Sequence, residues 1–297
     1  MADMTALTMA SWLPEVWSPL ASIAFRTNTV LAPLLDHSWE SELGPGRGDT
    51  VNIPSFSQNQ RSQTTTRATF GTGAALTFNA VTEGQTQLKV DTMETDAYRI
   101  PVEMSLQAMP GYVVRLTQGM GQAIAQKVDY KIASDTTNGF DVFTAIGTDN
   151  TDVSDDTVLE GETALNDAFA PTSDRFFVVS PATRASLMKV EAYRNSLYAT
   201  AVGNLPGDVG MEPFSMNGYM GQIYTLKVYM SGNLEAGTSG KKNAMFHREA
   251  IAMVMQQDVT VVSGLNIADG LLNEYAAYCV FGIKLVKTAV GREVAGK

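Results

Sequence analysis

The stretch Tyr112–Ser134, YVVRLTQGMGQAIAQKVDYKIAS, limits the possible folds more than any other part of the chain. Val113, Leu116, Met120, Ile124, Val128 and Ile132 recur at steps of three or four, which places them in one stripe on an α-helix. Arg115, Gln118, Gln122, Gln126 and Asp129 fall on the other side. Such a helix is about 35 Å long, near the width of a small domain and about twice the average globular helix. The spacing predicts a spine on which other layers rest. Pro110-Gly111 marks its start and Asn138-Gly139 its end. Gly119 and Gly121 lie inside it, each costing about 1 kcal/mol against Ala, and they point to a bend or a close neighbour.

Around that spine the chain has 297 residues, enough for one large or two ordinary domains with real cores. No apolar run approaches the roughly 20 residues that cross a bilayer. The first residues, MADMTALTMASWLPEVW, carry Asp3 where a signal peptide has Lys or Arg, so a cytosolic product without an export signal is expected. Cys279 is the only cysteine, which rules out an intrachain disulfide and Cys-rich zinc or iron–sulfur sites. His37 and His247 are the only histidines, little material for a metal site. The formal net charge of −10 repels phosphate backbones and argues against tight nucleic-acid binding as a general property.

Trp12, Trp17 and Trp39 all lie in the first 39 residues, punctuated by Pro14, Pro19 and Pro33. Ser18–Leu31 can form a helix with Leu20, Ile23, Ala24, Thr27 and Leu31 roughly on one side. A Trp-rich arm needs a surface to bury itself in, on its own domain or on a neighbouring subunit. GPGRGDTVNIP then reads as a Gly-rich turn feeding a strand over Thr50–Ile53, its Arg47-Gly48-Asp49 tripeptide being coincidental. From Ser55 to Asp96 the composition turns to Ser, Thr, Gln and Gly, with short alternation at Leu76, Phe78, Leu88 and Val90. This polar two-stranded excursion cannot bury much by itself, so contact with another chain is expected to order it. Ala97–Val102 returns as a strand to the spine.

Beyond the spine, Gly147–Thr157 reads as a solvated acidic loop, Val158–Phe169 as a helix and Arg175–Ser180 as a buried strand. Pro181 opens a helix continuing over Ala182–Asn195. Gly203–Gly221 is an irregular loop, and GQIYTLKVYMSGNL after it reads as a strand. NAMFHREAIAMVMQQ, from Asn243, is a strand with a buried middle. Over Tyr275–Val286 the residues Tyr275, Ala277, Cys279, Phe281, Ile283 and Leu285 share one face. The fold class is α+β.

Residues that carry chemistry are sparse. There is no GxSxG elbow, and Gly119-Met120-Gly121 sits mid-helix without the third Gly of a dinucleotide loop. The nearest phosphate loop ends Gly240-Lys241-Lys242, with Lys in place of Ser or Thr and Glu235 in place of the first Gly. Cys279 reads as a buried inert thiol and His247 as a surface or hydrogen-bonded structural histidine. A hydrolase using His247 with an acidic partner is the distant alternative. No catalytic residue, cofactor or metal is assigned.

The order of parts resembles the major capsid (coat) protein of tailed bacteriophages, with the HK-ninety-seven-type or Johnson fold. PEVWS, GDTVNIP, QKVDYKI, RFFVVSPATRASLM, GQIYTLKVYMSGNL and FHREAIAMVMQ carry the resemblance, through their order and spacing over nearly the whole chain. It implies an N-terminal arm (1–50), an extended E-loop hairpin (51–96), a P-domain with the long spine helix (97–145 and 243–297) and an α/β A-domain (146–242). It implies a structural, non-enzymatic subunit that self-assembles into pentamers and hexamers of an icosahedral head around double-stranded DNA, without specific DNA binding and without a membrane. The implied location is the virion, after assembly in the host cytoplasm. With no long charged helical extension before the arm, a separate scaffolding protein is implied, with a portal and room for a decoration protein. An encapsulin-like compartment shell shares the fold and stays open. The Lys–Asn crosslink of some members is not carried over, because the excursion offers Arg61 and Arg67 but no Lys before Lys89. Trp12, Trp17, Trp39, Arg47, Arg61 and Arg67 are the candidate inter-subunit contacts, the arginines pairing with a neighbour's acidic groups near Asp149–Glu162 or on its spine.

Overall fold

The computed structural model of the chain describes residues 17–43, 48–56, 83–107, 112–190, 193, 218–237, 240–268 and 270–296. Helix α1 spans Trp17–Asn28 and β1 spans Thr50–Phe56. Strands β2 (Glu83–Lys89) and β3 (Thr92–Pro101) follow, then the short α2 (Val102–Gln107). The spine is α3, Tyr112–Ser134. After it come β4 (Thr144–Gly147), α4 (Asp155–Asp167), β5 (Arg175–Val179) and α5 (Pro181–Leu187). Strands β6 (Tyr219–Ile223), β7 (Leu226–Met230), β8 (Asn243–His247), β9 (Ile251–Asn266), β10 (Leu272–Leu285) and β11 (Gly291–Ala295) complete the order.

The spine has the bounds its periodicity predicts, and Met120, Ile124, Val128 and Ile132 of the stripe are buried. It packs against β3 and β10 on the sheet β3-β10-β9 and against α1. Gly121 makes the contact with α1 possible: a methyl group there would meet the Ala21 carbonyl oxygen at 2.4 Å, whereas one at Gly119 would meet nothing within 4 Å. The close neighbour, at Gly121, is therefore the first helix. α1 is also tied to β9, since Arg26 Nη2 and Ser22 Oγ donate to Asp258 Oδ2 at 2.7 and 3.0 Å.

A second sheet runs β4-β11-β8-β5-β7-β6, with β4 parallel to β11, β5 parallel to β7 and the other pairs antiparallel. β5 and β8 sit near its middle and are buried at every position, their polar ends Arg175, Asn243 and His247 included. Phe140 and Phe143, just past the spine, stack around Phe246 of β8 and join the sheet core to the spine core. β1 and β2 form a separate antiparallel ribbon.

Several local readings change. α1 stops at Asn28 and buries Ala21 and Phe25, while Ile23 is 62% exposed. Asp129, placed by its charge on the solvent side of the spine, is fully buried. β3 starts at Thr92 rather than Ala97, because Thr92, Glu94 and Asp96 give it a half-buried face along β10; Val102 belongs to α2. α4 starts at Asp155, not Val158: Ser154 caps it by accepting the Thr157 N–H. α5 ends at Leu187, short of the expected Asn195. The expected strand after Gly221 is a hairpin, β6–β7, turning at Tyr224-Thr225 with Tyr224 at φ 51°. The expected strand from Asn243 is broken between β8 and β9 by a 3-10 turn, Arg248–Ala250.

Candidate assembly surfaces

Three surfaces bear on what the chain can contact. The first is the arm. Where α1 ends, Asp129 of the spine takes three backbone N–H groups from Val30, Leu31 and Ala32, at 2.8, 3.0 and 3.4 Å. These donors open the 3-10 turn Ala32–Leu34, so one carboxylate caps the turn and fixes the angle at which the arm leaves the spine. Burial outweighs the three bonds and raises the carboxyl pKa to about 6. Further on, Asp36 forms a bridge to β9 through Met253 N–H and the Ile251 carbonyl.

The second surface is the β1–β2 ribbon. Val51, Ile53, Leu88 and Val90 turn one face of its base onto Ala252 and Val254, with Leu43 and a half-buried Trp39 beside them. Asn52, Pro54, Gln85 and Gln87 face outward, the alternation of a one-sided ribbon. Gly282 of β10 admits the close crossing, since a methyl group there would lie 2.3 Å from the Lys89 carbonyl oxygen. Of the expected contact residues, Trp39 thus packs at the ribbon base of its own chain, and Trp17 opens α1. Trp12, Arg47, Arg61 and Arg67 lie outside the described residues.

The third surface was missed in the sequence. β9 and β10 pair out to Asn266 and Leu272, with a register shift between Tyr278 and Phe281. At and near their tip Val262, Leu265, Ile267 and Leu271 are all at least half exposed, Ile267 at 72%. Their one sequence signal is an aliphatic-rich turn, GLNIADGLL, which would ordinarily be polar.

The remaining polar groups hold the second sheet together. Arg175 is buried and donates to the Pro171 and Ala170 carbonyls, Asn166 Oδ1 and Thr225 Oγ1, at 2.7, 2.6, 2.8 and 3.3 Å. Thr225 in turn donates to Glu162 at 2.7 Å. Tyr193 and Tyr224 both donate to Asp155 Oδ1, which pins the β6–β7 turn to the start of α4. Lys242 bridges Asp141 and Glu235, and these carboxylates raise its pKa. His247 is 5% exposed; its Nδ1 accepts the Glu249 N–H at 3.3 Å, and burial lowers its pKa. That is a structural histidine. Cys279 is buried between strands, and desolvation pushes its thiol up to about 12. Among the described residues no group of three or more His, Cys, Asp or Glu could hold a metal ion, and no helix is long and apolar enough to cross a membrane.

Comparison with solved structures shows the same fold in phage structures and in a virus-like particle. A structure from Mycobacterium phage Che8 matches with a TM-score of 0.68 at 20% identity over 90% of both chains. One from Mycobacterium phage Adephagia gives 0.62 at 14%, over 100% of this chain and 99% of that one. A virus-like particle from Pyrococcus furiosus gives 0.59 at 10%, over 94% and 98%. No curated protein matches the sequence. The family model for phage capsid protein matches residues 89–291, more than half of the chain, spanning the spine and most of both sheets, and the chain therefore belongs to the phage capsid protein family as a structural protein of the capsid shell.

Proposed function

We propose that the chain is the repeating wall subunit of a tailed-phage head, closing rings of five and six copies around double-stranded DNA. The observation that carries this is the β9–β10 tip. Several aliphatic side chains exposed at the end of a long hairpin gain nothing for the subunit that holds them, and exposed apolar surface of this kind marks a protein contact. In a shell the partner is another copy, through heterologous contacts that closed symmetry repeats. The expected division is an arm (1–50), an E-loop (51–96), a P-domain (97–145 and 243–297) and an A-domain (146–242). β8 and β11 share a sheet with β5 and β7, so the last two regions are joined by backbone hydrogen bonds. The formal charge of −10 suits a wall that bounds a polyanion without gripping it. Arg47, Arg61 and Arg67 are proposed to pair with a neighbour's carboxylates. A scaffolding protein, a portal and assembly in the host cytoplasm belong to the same reading.

The test is Ile267→Asp with Leu271→Asp. The double variant should fold with an unchanged melting temperature and yield no closed particles in negative stain or sedimentation. Normal particles would refute the tip as a contact. Wild-type particles that carry no nuclease-protected DNA when made alongside the phage's packaging machinery would favour the compartment-shell alternative instead.

A further inference from the structure

The spine core and the six-stranded sheet meet at the 3-10 turn Phe140–Val142, where Phe140 and Phe143 pack on Phe246. We propose that this seam carries a proton-operated clasp: Glu293 of β11 takes up a proton to close it and gives the proton up to loosen it. Four carboxylates from four places meet there around one ammonium. Asp141 lies in the turn itself, Asp149 in the loop between β4 and α4, Glu235 in the connection from β7 to β8, and Glu293 in β11. The ammonium is that of Lys242, one residue before β8. The Lys242 N–H donates to the Glu235 carbonyl at 3.0 Å and Ala236 bridges Lys241, so the backbone itself sets the lysine beside Glu235.

One lysine cannot serve all four. Its Nζ donates to Asp141 Oδ1 and, at 3.1 Å, to Glu235 Oε2. Glu293 is left over. It is 9% exposed, and among the described residues none donates a hydrogen bond to its carboxylate. Its neighbours in register are Ala145 of β4 and Ala244 of β8, whose side chains offer no donor. A carboxylate in that position has lost its water without a replacement. Burial first, then repulsion from Asp141, Asp149 and Glu235, raises its pKa to about 6 from an ordinary 4.5, and Lys242 offsets only part of this. The folded state therefore holds the proton more tightly than the unfolded state. The stability this contributes is fully present below pH 4.5 and is lost as pH rises through about 6. At neutral pH the charge on Glu293 pushes against Asp141 on the spine side and Asp149 on the β4 side. In mild acid that push is gone, and the two ion pairs of Lys242 hold the seam unopposed.

The test follows the Glu293 carboxyl directly, by a pH titration of the full unassembled chain labelled with carbon-13 at its glutamate carboxyls. The resonance is assigned by its loss in Glu293→Gln, and the labelling keeps it apart from Asp129. The midpoint should lie at about 6. Asp149→Asn should move it to lower pH and Lys242→Met to higher pH, because each changes one charge that faces Glu293. If Lys242→Met does not fold, Asp149→Asn, at an exposed position, decides alone. A midpoint below 5, or one that Asp149→Asn leaves in place, overturns the clasp. Hydrogen exchange then locates the effect. At pH 7.5 Glu293→Gln should slow amide exchange over residues 140–149 by roughly threefold or more against wild type, within the roughly thirtyfold that a shift from 4.5 to 6 allows. At pH 4.5 the two proteins should exchange alike. Equal exchange at pH 7.5 also overturns the proposal, since the proton would then do nothing to the seam.

Discussion

Replacing Asp129 by Asn tests the arm–spine junction, and its effect changes with pH. In the folded chain burial holds the carboxyl pKa at about 6 against an ordinary 3.8, despite three backbone donors. A raised folded pKa means that the folded state binds the proton more tightly than the unfolded state. The stability this contributes is fully present below pH 3.8 and is lost as pH rises through about 6. At 1.36 kcal/mol per pH unit the loss totals about 3 kcal/mol, of which about 2 falls between pH 4.5 and 7.5. Asparagine keeps the shape and stays neutral. Its amide NH2 opposes one of the three N–H donors, but so does the hydroxyl of the protonated acid, so at pH 4 the two proteins should be nearly equal. At pH 7.5 Asp129→Asn should be the more stable by about 2–3 kcal/mol. Urea unfolding of the unassembled subunit across this range, read by circular dichroism, gives the difference between the two proteins and cancels every other titrating group. A variant that is less stable than wild type at pH 7.5, with no pH dependence in the difference, would show that the three N–H bonds outweigh desolvation, and would refute the reasoning.

The two spine glycines should respond in opposite directions. Gly121→Ala forces α1 away from the spine and should cost about 1–3 kcal/mol, whereas Gly119→Ala, in open space on an exposed helix face, should gain about 0.5–1 kcal/mol; thermal melts of both variants check this. Arg175→Met leaves two carbonyls, Asn166 and Thr225 without their donor inside the second sheet and should cost about 3 kcal/mol or more, seen as a lowered melting temperature; a loss below 1 kcal/mol would mean that water replaces the guanidinium.

The sequence by itself determined the elements whose burial repeats along one dimension. The spine kept both predicted ends, β10 kept its alternating face from Tyr275 to Ile283, and β5 was a buried strand as expected, because each pattern is set by neighbours three, four or two residues away. The order of those elements was enough to reveal the capsid resemblance. Only the tertiary structure decided where a local pattern meets a distant partner. Asp129 looks like a solvent-facing charge until the N–H groups of Val30, Leu31 and Ala32, almost 100 residues earlier, arrive beside it. Gly121 and Gly119 are two residues apart and indistinguishable in sequence; the Ala21 carbonyl makes one indispensable. The breaks at Tyr224-Thr225 and Arg248–Ala250 were hidden inside apolar runs, since a strand that reverses or kinks keeps the same hydrophobicity. The exposed tip was equally illegible, because exposure belongs to the arrangement of several strands and not to any one of them. Such features depend on which groups lie within a few ångströms in space, and a one-dimensional pattern carries that information only when the partners are also near in the chain.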